Sequence, residues 1–164
     1  QVRQAADKAP HELLPSVRVR RILPQTGRKR VRDVPKPLDR GAGSGGSLSV
    51  KPADLENRHH AAAVVDLLDA YALDPMGGGR ALPETTRGRL AGALRSFPGT
   101  LVLLAFLDSY PVGVAVCFPG FSTFRAQPLI NIHDLAVLPA YRGRGVGSAL
   151  LQEVEAQALA RGCC

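Results

Sequence analysis

The amino-acid sequence predicts an α+β domain, a mixed and mainly antiparallel sheet flanked by helices in the order β-α-α-β-β-β-α. Three observations carry that prediction. Two apolar runs, "TLVLLAFL" and "PVGVAVCF", are joined by Asp108-Ser109-Tyr110, which reads as a hairpin. Two stretches before them repeat their apolar residues at helical spacing. After them, a third apolar run is stopped by Pro139 and passes through a glycine-rich join into an amphipathic helix.

Taken in order, "SLSVKPAD" is a short alternating strand (Leu48, Val50) ended by Pro52. "DLENRHHAAAVVDLLDAYALDP" is a helix with Asp54 as N-cap, Pro75 as stop, and Leu55, Ala62, Val65, Leu68 and Ala72 inward. "PMGGGRAL" is a flexible loop. "PETTRGRLAGALRSFP" is a second helix, entered at Pro83 and closed before Pro98. The hairpin follows, then a loop, "PGFSTFRAQP", and a third long strand from Leu129 to Leu138. Gly143 to Arg161 is the last helix, with Leu150, Leu151, Val154 and Ala158 inward.

Charge divides the chain. Residues 1–46 hold 11 Lys/Arg against 4 Asp/Glu, which accounts for the whole net charge of +7; residues 47–164 carry 10 of each sign. The segment "LPQTGRKRVRDVPKPLDRGAGSGGS" has no apolar periodicity and ends in a Gly/Ser spacer, so residues 1–46 are expected to be a basic, disordered tail. Two readings of the tail compete: an arm for nucleic acid, the only route by which nucleic acid would be a partner, and a solvated linker, which the absence of aromatic residues among its charges favours. Cys117, Cys163 and Cys164 form neither a metal pattern nor a disulfide framework, which points to a reducing, cytoplasmic setting and no metal. No apolar run approaches the roughly 18 residues of a spanning helix, so no membrane partner is expected. The chain begins at Gln1 and its sole methionine is Met76, so it is expected to be a fragment of a longer protein.

The join Arg142-Gly143-Arg144-Gly145-Val146-Gly147 is longer than a β–α connection needs. A P-loop would require Lys-Ser/Thr after the last glycine, where Ser148-Ala149 stands. A dinucleotide fingerprint would need two residues between its second and third glycines and an acidic residue about 20 positions on; both are missing. What remains is a strand, a proline stop and Arg-x-x-Gly-x-Gly opening a helix. Backbone N–H groups of 143–148 can then converge on one point at the positive end of the helix dipole, a setting that favours a pyrophosphate.

"LAVLPAYRGRGVGSALL" resembles the acyl-CoA-binding motif of the GNAT N-acetyltransferase superfamily, Gln/Arg-x-x-Gly-x-Gly/Ala, with Arg142, Gly145 and Gly147 at the hallmark positions. The order of elements resembles the amino-terminal two-thirds of that fold, over about residues 47–164. The resemblance implies an N-acetyltransferase that moves an acetyl group from acetyl-CoA to a primary amine, of a small molecule or a peptide. It implies that Leu135, Ala136 and Val137 offer strand backbone to the acetyl and pantetheine arm, and that Arg142, Gly143, Arg144, Gly145, Val146, Gly147 and Ser148 hold the pyrophosphate. An aralkylamine-type member has a histidine where His133 stands, so His133 is the candidate base; a packing role beside the cofactor is the competing reading. Full members continue with a strand, a helix and two more strands, and carry there a tyrosine that protonates the thiolate. This sequence stops where the next strand would begin, so the domain is expected to be partial.

Strand alternation is expected to turn Asn131, His133, Leu135 and Val137 one way and Ile132, Asp134 and Ala136 the other, with Asp134 bonding helix or loop backbone. Tyr71, Phe121 and Asn131 are substrate-side candidates, together with Asp74 to Gly79, Phe118 and Phe124. An aromatic lining would suit an aralkylamine, whereas Asp69 and Asp74 would suit a polyamine; the residues leave both open. His59 and His60 read as surface residues. A catalytically silent acyl-CoA-binding module is the alternative function, and a homodimer the alternative to a monomer.

Overall fold

The computed structural model describes residues 46–164, so the expected basic tail lies outside the described residues except for Gly46. The elements are β1 (Leu48–Pro52), α1 (Arg58–Leu73), α2 (Glu84–Ser96), β2 (Leu101–Leu107), β3 (Tyr110–Ser122), β4 (Gln127–Val137) and α3 (Val146–Ala160). Short 3-10 turns at Pro75–Gly77 and Pro139–Tyr141 follow α1 and β4. The strands form one antiparallel sheet in spatial order β1-β2-β3-β4.

Helices cover both faces, which explains why β2 is apolar without alternation: Leu101 to Phe106 are all buried. On one face, Val64, Leu67 and Leu68 of α1 and Leu94 of α2 pack on Val102, Leu104, Val114 and Val116. On the other, Val146, Leu150 and Val154 of α3 pack on Leu101, Leu103, Val112, Ala115 and Cys117. Burial pushes the Cys117 thiol up from its ordinary value.

Four local expectations are corrected. The N-cap of α1 is Asn57, whose side chain accepts from the His59 and His60 N–H groups at 2.9 and 3.4 Å; Asp54 caps the turn before it, accepting from Glu56 N at 2.9 Å. His60 is half-buried rather than on the surface, because its Nδ1 accepts from Asp54 N at 3.0 Å and its ring meets Phe106. The buried phase of α1 is Val64, Leu67 and Leu68, the side set against Val102, Leu104, Val114 and Val116; Ala62 is exposed and Val65 half-buried. In α3, Leu151 remains 45% exposed while Val146 is buried in its place.

The hairpin of β3 and β4 is longer than its sequence suggests. Pro119 and Gly120 read as breakers, yet β3 continues through them to Ser122, with Pro119 opposite Ile130 and Gly120 opposite Leu129. The turn is confined to 123–126, where Ala126 takes φ 50°. The last helix begins at Val146 rather than Gly143, because Gly143 and Gly145 hold φ 75° and 79°.

Candidate active site

Gly145 caps α3 in the left-handed region that favours glycine, and no side chain caps the helix. The Ala149 N–H closes the first helical turn on the Gly145 carbonyl at 2.9 Å. The N–H groups of residues 143–148 have no hydrogen-bond partner among the described residues. They are unsatisfied donors at the positive end of a 15-residue helix. A Cβ on Gly143 or Gly145 would meet nothing within 4 Å, so these positions are open as well as glycine.

A cleft of about 660 Å³ runs from this loop along the end of β4. Leu135, Ala136, Val137, Arg142, Gly143, Gly145, Val146, Gly147 and Ser148 line it, joined by Tyr71 of α1. Arg144 does not line it; its guanidinium lies 5.5 Å from the Tyr141 ring centroid. Met76, 83% exposed in the turn after α1, also lines the cleft, alone among the expected substrate-side residues Asp74 to Gly79.

Arg142 lines the cleft and is also hydrogen-bonded within the protein. Its Nε donates to the Val137 carbonyl at 3.1 Å and its Nη2 to Asp74 Oδ2 at 2.7 Å. The other oxygen of Asp74 accepts from Met76 N at 2.9 Å. That backbone donor and the Arg142 guanidinium hold the Asp74 carboxyl below its ordinary value. Asp69 is also engaged, accepting from Leu82 N at 2.7 Å and pairing with Arg87. The two carboxylates weighed as a polyamine site are therefore internal partners.

The register of β3 and β4 shifts in the middle. Val116 lies opposite Asp134 and Cys117 opposite Ile132, which leaves His133 as the extra residue of a β-bulge. The bulge overturns the expected alternation. Asp134 and Ala136 oppose Val116 and Val114 on the α1/α2 face, whereas Ile132, Leu135 and Val137 oppose Cys117, Ala115 and Gly113 on the α3 face. The His133 ring meets Phe118 edge-on at 5.5 Å, and Phe118 in turn meets Phe97 at 5.1 Å. His133 is exposed and Asp134 half-buried; neither side chain is hydrogen-bonded among the described residues, so the Asp134 carboxylate does not bond helix or loop backbone as expected.

The remaining candidates separate. Asn131 stays beside His133, opposite Phe118, with its amide over Gly120, where a Cβ would come within 2.6 Å of Nδ2. Phe121 does not join them: alternation along β3 turns it to the side opposite Phe118, and it is 62% exposed. Phe124 is fully exposed at the hairpin tip. Phe97, just past α2, is the aromatic that sequence reasoning missed, because nothing local ties it to a strand residue 21 positions later.

An antiparallel sheet whose edge strand passes through a glycine-opened helix start, with helices on both faces, defines the acyl-CoA N-acyltransferase class of fold. The chain belongs to the acetyltransferase (GNAT) family, which matches residues 61–164. An uncharacterised N-acetyltransferase of Archaeoglobus fulgidus is 38% identical over 61 residues, 37% of this chain and 42% of that protein. This chain thus spans about two-fifths of that relative. Among solved structures, an aminoglycoside acetyltransferase from an uncultured soil metagenomic sample aligns with TM-score 0.54 and 24% identity, covering 71% of this chain and 75% of that one. The ribosomal-protein-alanine N-acetyltransferase of Brucella melitensis biovar Abortus aligns with TM-score 0.57 and 18% identity, covering 70% and 74%. At these identities the likeness is one of fold.

Proposed function

We propose that this protein is an N-acetyltransferase that takes its acetyl group from acetyl-CoA and delivers it to a primary amine. The observation that carries this reading is the row of unpartnered N–H groups at 143–148, opening on the cleft beside the end of β4. These donors suit the pyrophosphate of a CoA ester, and the exposed edge of β4 at Leu135 to Val137 suits its amide-bearing arm. When bound, acetyl-CoA supplies an acetyl group activated as a thioester.

The residues of this chain then have two tasks. The amine must lose its proton, and His133 is the accessible group at the bulge that can take it, directly or through a water. The thioester oxygen gains charge as the amine attacks, and an N–H of the β4 edge can stabilise it. The acceptor side nearest His133 is the edge-on series Phe118 and Phe97, with Asn131 alongside. With Asp69 and Asp74 held by Arg87 and Arg142, these aromatic neighbours of His133 favour an amine carrying an aromatic or apolar group over a polyamine.

The test is turnover of acetyl-CoA by the full chain against a panel of aralkylamines, polyamines and peptide amines, with CoA affinity measured by calorimetry. Acetylation of an aralkylamine is expected. CoA binding with no turnover on any amine would make the protein an acyl-CoA-binding module instead.

A further inference from the structure

The cleft has two walls that are 68 positions apart in the chain at their point of contact, and one ion pair joins them. One wall is the pyrophosphate-facing loop that begins at Arg142. The other is formed by Tyr71 of α1 and by Met76, which belongs to the segment from the end of α1 to the start of α2, residues 74–82. Asp74 stands where that segment begins, as both the C-cap of α1 and the N-cap of the 3-10 turn. Its side chain is only 11% exposed, and both oxygens are used, one by Met76 N and one by Arg142. Arg142 is likewise used in two directions, toward Val137 at the end of β4 and toward Asp74. A guanidinium does this from two separate nitrogens whose N–H groups diverge in a fixed plane, whereas a lysine offers its donors from a single nitrogen.

The segment held by Asp74 contains residues that need such a hold. Gly78 and Gly79 sit at φ 117° and 70°, where the backbone has little steric restraint of its own. Their neighbour Gly77 packs against the Tyr71 carbonyl, which a Cβ would approach to 1.9 Å. Backbone bonds from Gly77 N and Gly79 N also return to the Asp74 carbonyl, at 2.8 and 3.1 Å. Asp74 is therefore the anchor of the segment that places Met76 at the cleft, beside Tyr71 of α1.

We propose that the Asp74–Arg142 pair is a positioning device that couples the two walls, so that acyl-CoA settling on the 143–148 loop orders residues 74–82 on the acceptor side. This rests on the acyl-CoA reading of the loop. The logic is linkage: a ligand that fixes Arg142 favours the arrangement in which Asp74 is held, and holding Asp74 favours the ligand equally. Arg142 acts through position and Asp74 through Arg142; neither needs to touch the acetyl group.

The test is hydrogen exchange of the full chain with and without CoA, comparing wild type, Asp74→Asn and Arg142→Lys. Asp74→Asn keeps an oxygen for Met76 N and removes the charge that Arg142 meets; Arg142→Lys keeps the charge and loses the divergent fork. In wild type, CoA should slow exchange in both 143–148 and 74–82. In each variant it should still slow 143–148 but not 74–82, and CoA affinity should fall about five-fold or more, the lower end of typical coupling. Melting temperatures within a few degrees of wild type verify that the variants fold; if one fails, the other decides. Equal protection of 74–82 in a folded variant overturns the coupling while leaving the loop assignment intact. Absence of protection at 143–148 in wild type overturns the loop assignment and the coupling with it.

Discussion

At the scale of single residues, the glycine loop and His133 make separable demands. Gly145 holds a positive φ that a valine adopts only under strain, whereas Gly147 is helical and its Cβ would lie in ordinary contact with Val137 Cγ2 at 4.0 Å, on the cleft side. Gly147→Val should therefore weaken CoA binding by filling the space over the free N–H groups, with little loss of stability. Gly145→Val should weaken binding and lower the melting temperature together. Calorimetry beside thermal melts reads both, and unchanged CoA affinity in either variant would remove the loop from the site. His133 makes a different demand, one of rate. His133→Ala should lower turnover by about 10²- to 10⁴-fold at neutral pH with CoA affinity nearly unchanged. The defect should shrink as pH rises, since a free amine needs no base. A loss of CoA affinity matching the loss of rate would make His133 a packing residue.

At the scale of elements, the seat of α3 on the sheet depends on one position of β3. A Cβ on Gly113 would lie 3.0 Å from the Ala136 carbonyl oxygen, 3.1 Å from Val146 Cγ1 and 3.2 Å from Leu150 Cδ1. Two of those neighbours belong to α3 and one to the strand that floors the cleft. Gly113→Val should cost about 1–3 kcal/mol by overpacking and also reduce CoA affinity, because it pushes the α3 start away from β4. Leu150→Ala, deeper in the same contact and fully buried, should cost about 2–5 kcal/mol by leaving a cavity. Urea unfolding gives both numbers; a Gly113→Val protein as stable as wild type would show that α3 can shift without penalty. The elements themselves were legible because their signals are local: Pro83, Pro98 and Pro139 bound them, and Arg-x-x-Gly-x-Gly marks the helix start. What was not legible depends on partners distant in sequence. The bulge that reverses the faces at His133 is a property of register against Cys117, and no alternation rule within β4 contains it. The engagement of Arg142 and Asp69 depends on Asp74 and Arg87, which only the packing of α1 against its neighbours brings near. In α1, the crowded apolar run Ala61 to Val65 permits several helical phases, and burial against β2 and β3 selects one.

At the scale of the whole molecule, the net charge is carried by one segment of the chain. Among the described residues, no helix is long and apolar enough to cross a membrane, and both packed clusters are built between Leu48 and Val154. Residues 1–46 carry the entire net charge of +7, with 11 cationic side chains, while residues 47–164 sum to zero. Electrostatic attraction to a polyanion is a matter of neutralised phosphates and released counterions, so it should follow the first segment rather than the second. The full chain should bind duplex DNA without sequence preference at 50 mM salt. If six or more cations engage, affinity should fall by about 10³-fold or more on passing to 200 mM. A protein reduced to residues 47–164 should keep its CoA affinity and lose the salt-sensitive binding. Fluorescence anisotropy with two unrelated duplexes measures the affinities and their salt slopes. DNA binding of equal strength by residues 47–164 would instead assign it to a local cluster within the domain, where Arg80, Arg142 and Arg144 lie near the glycine-rich segments. In that case CoA would compete for the same cations, and adding it should displace the DNA.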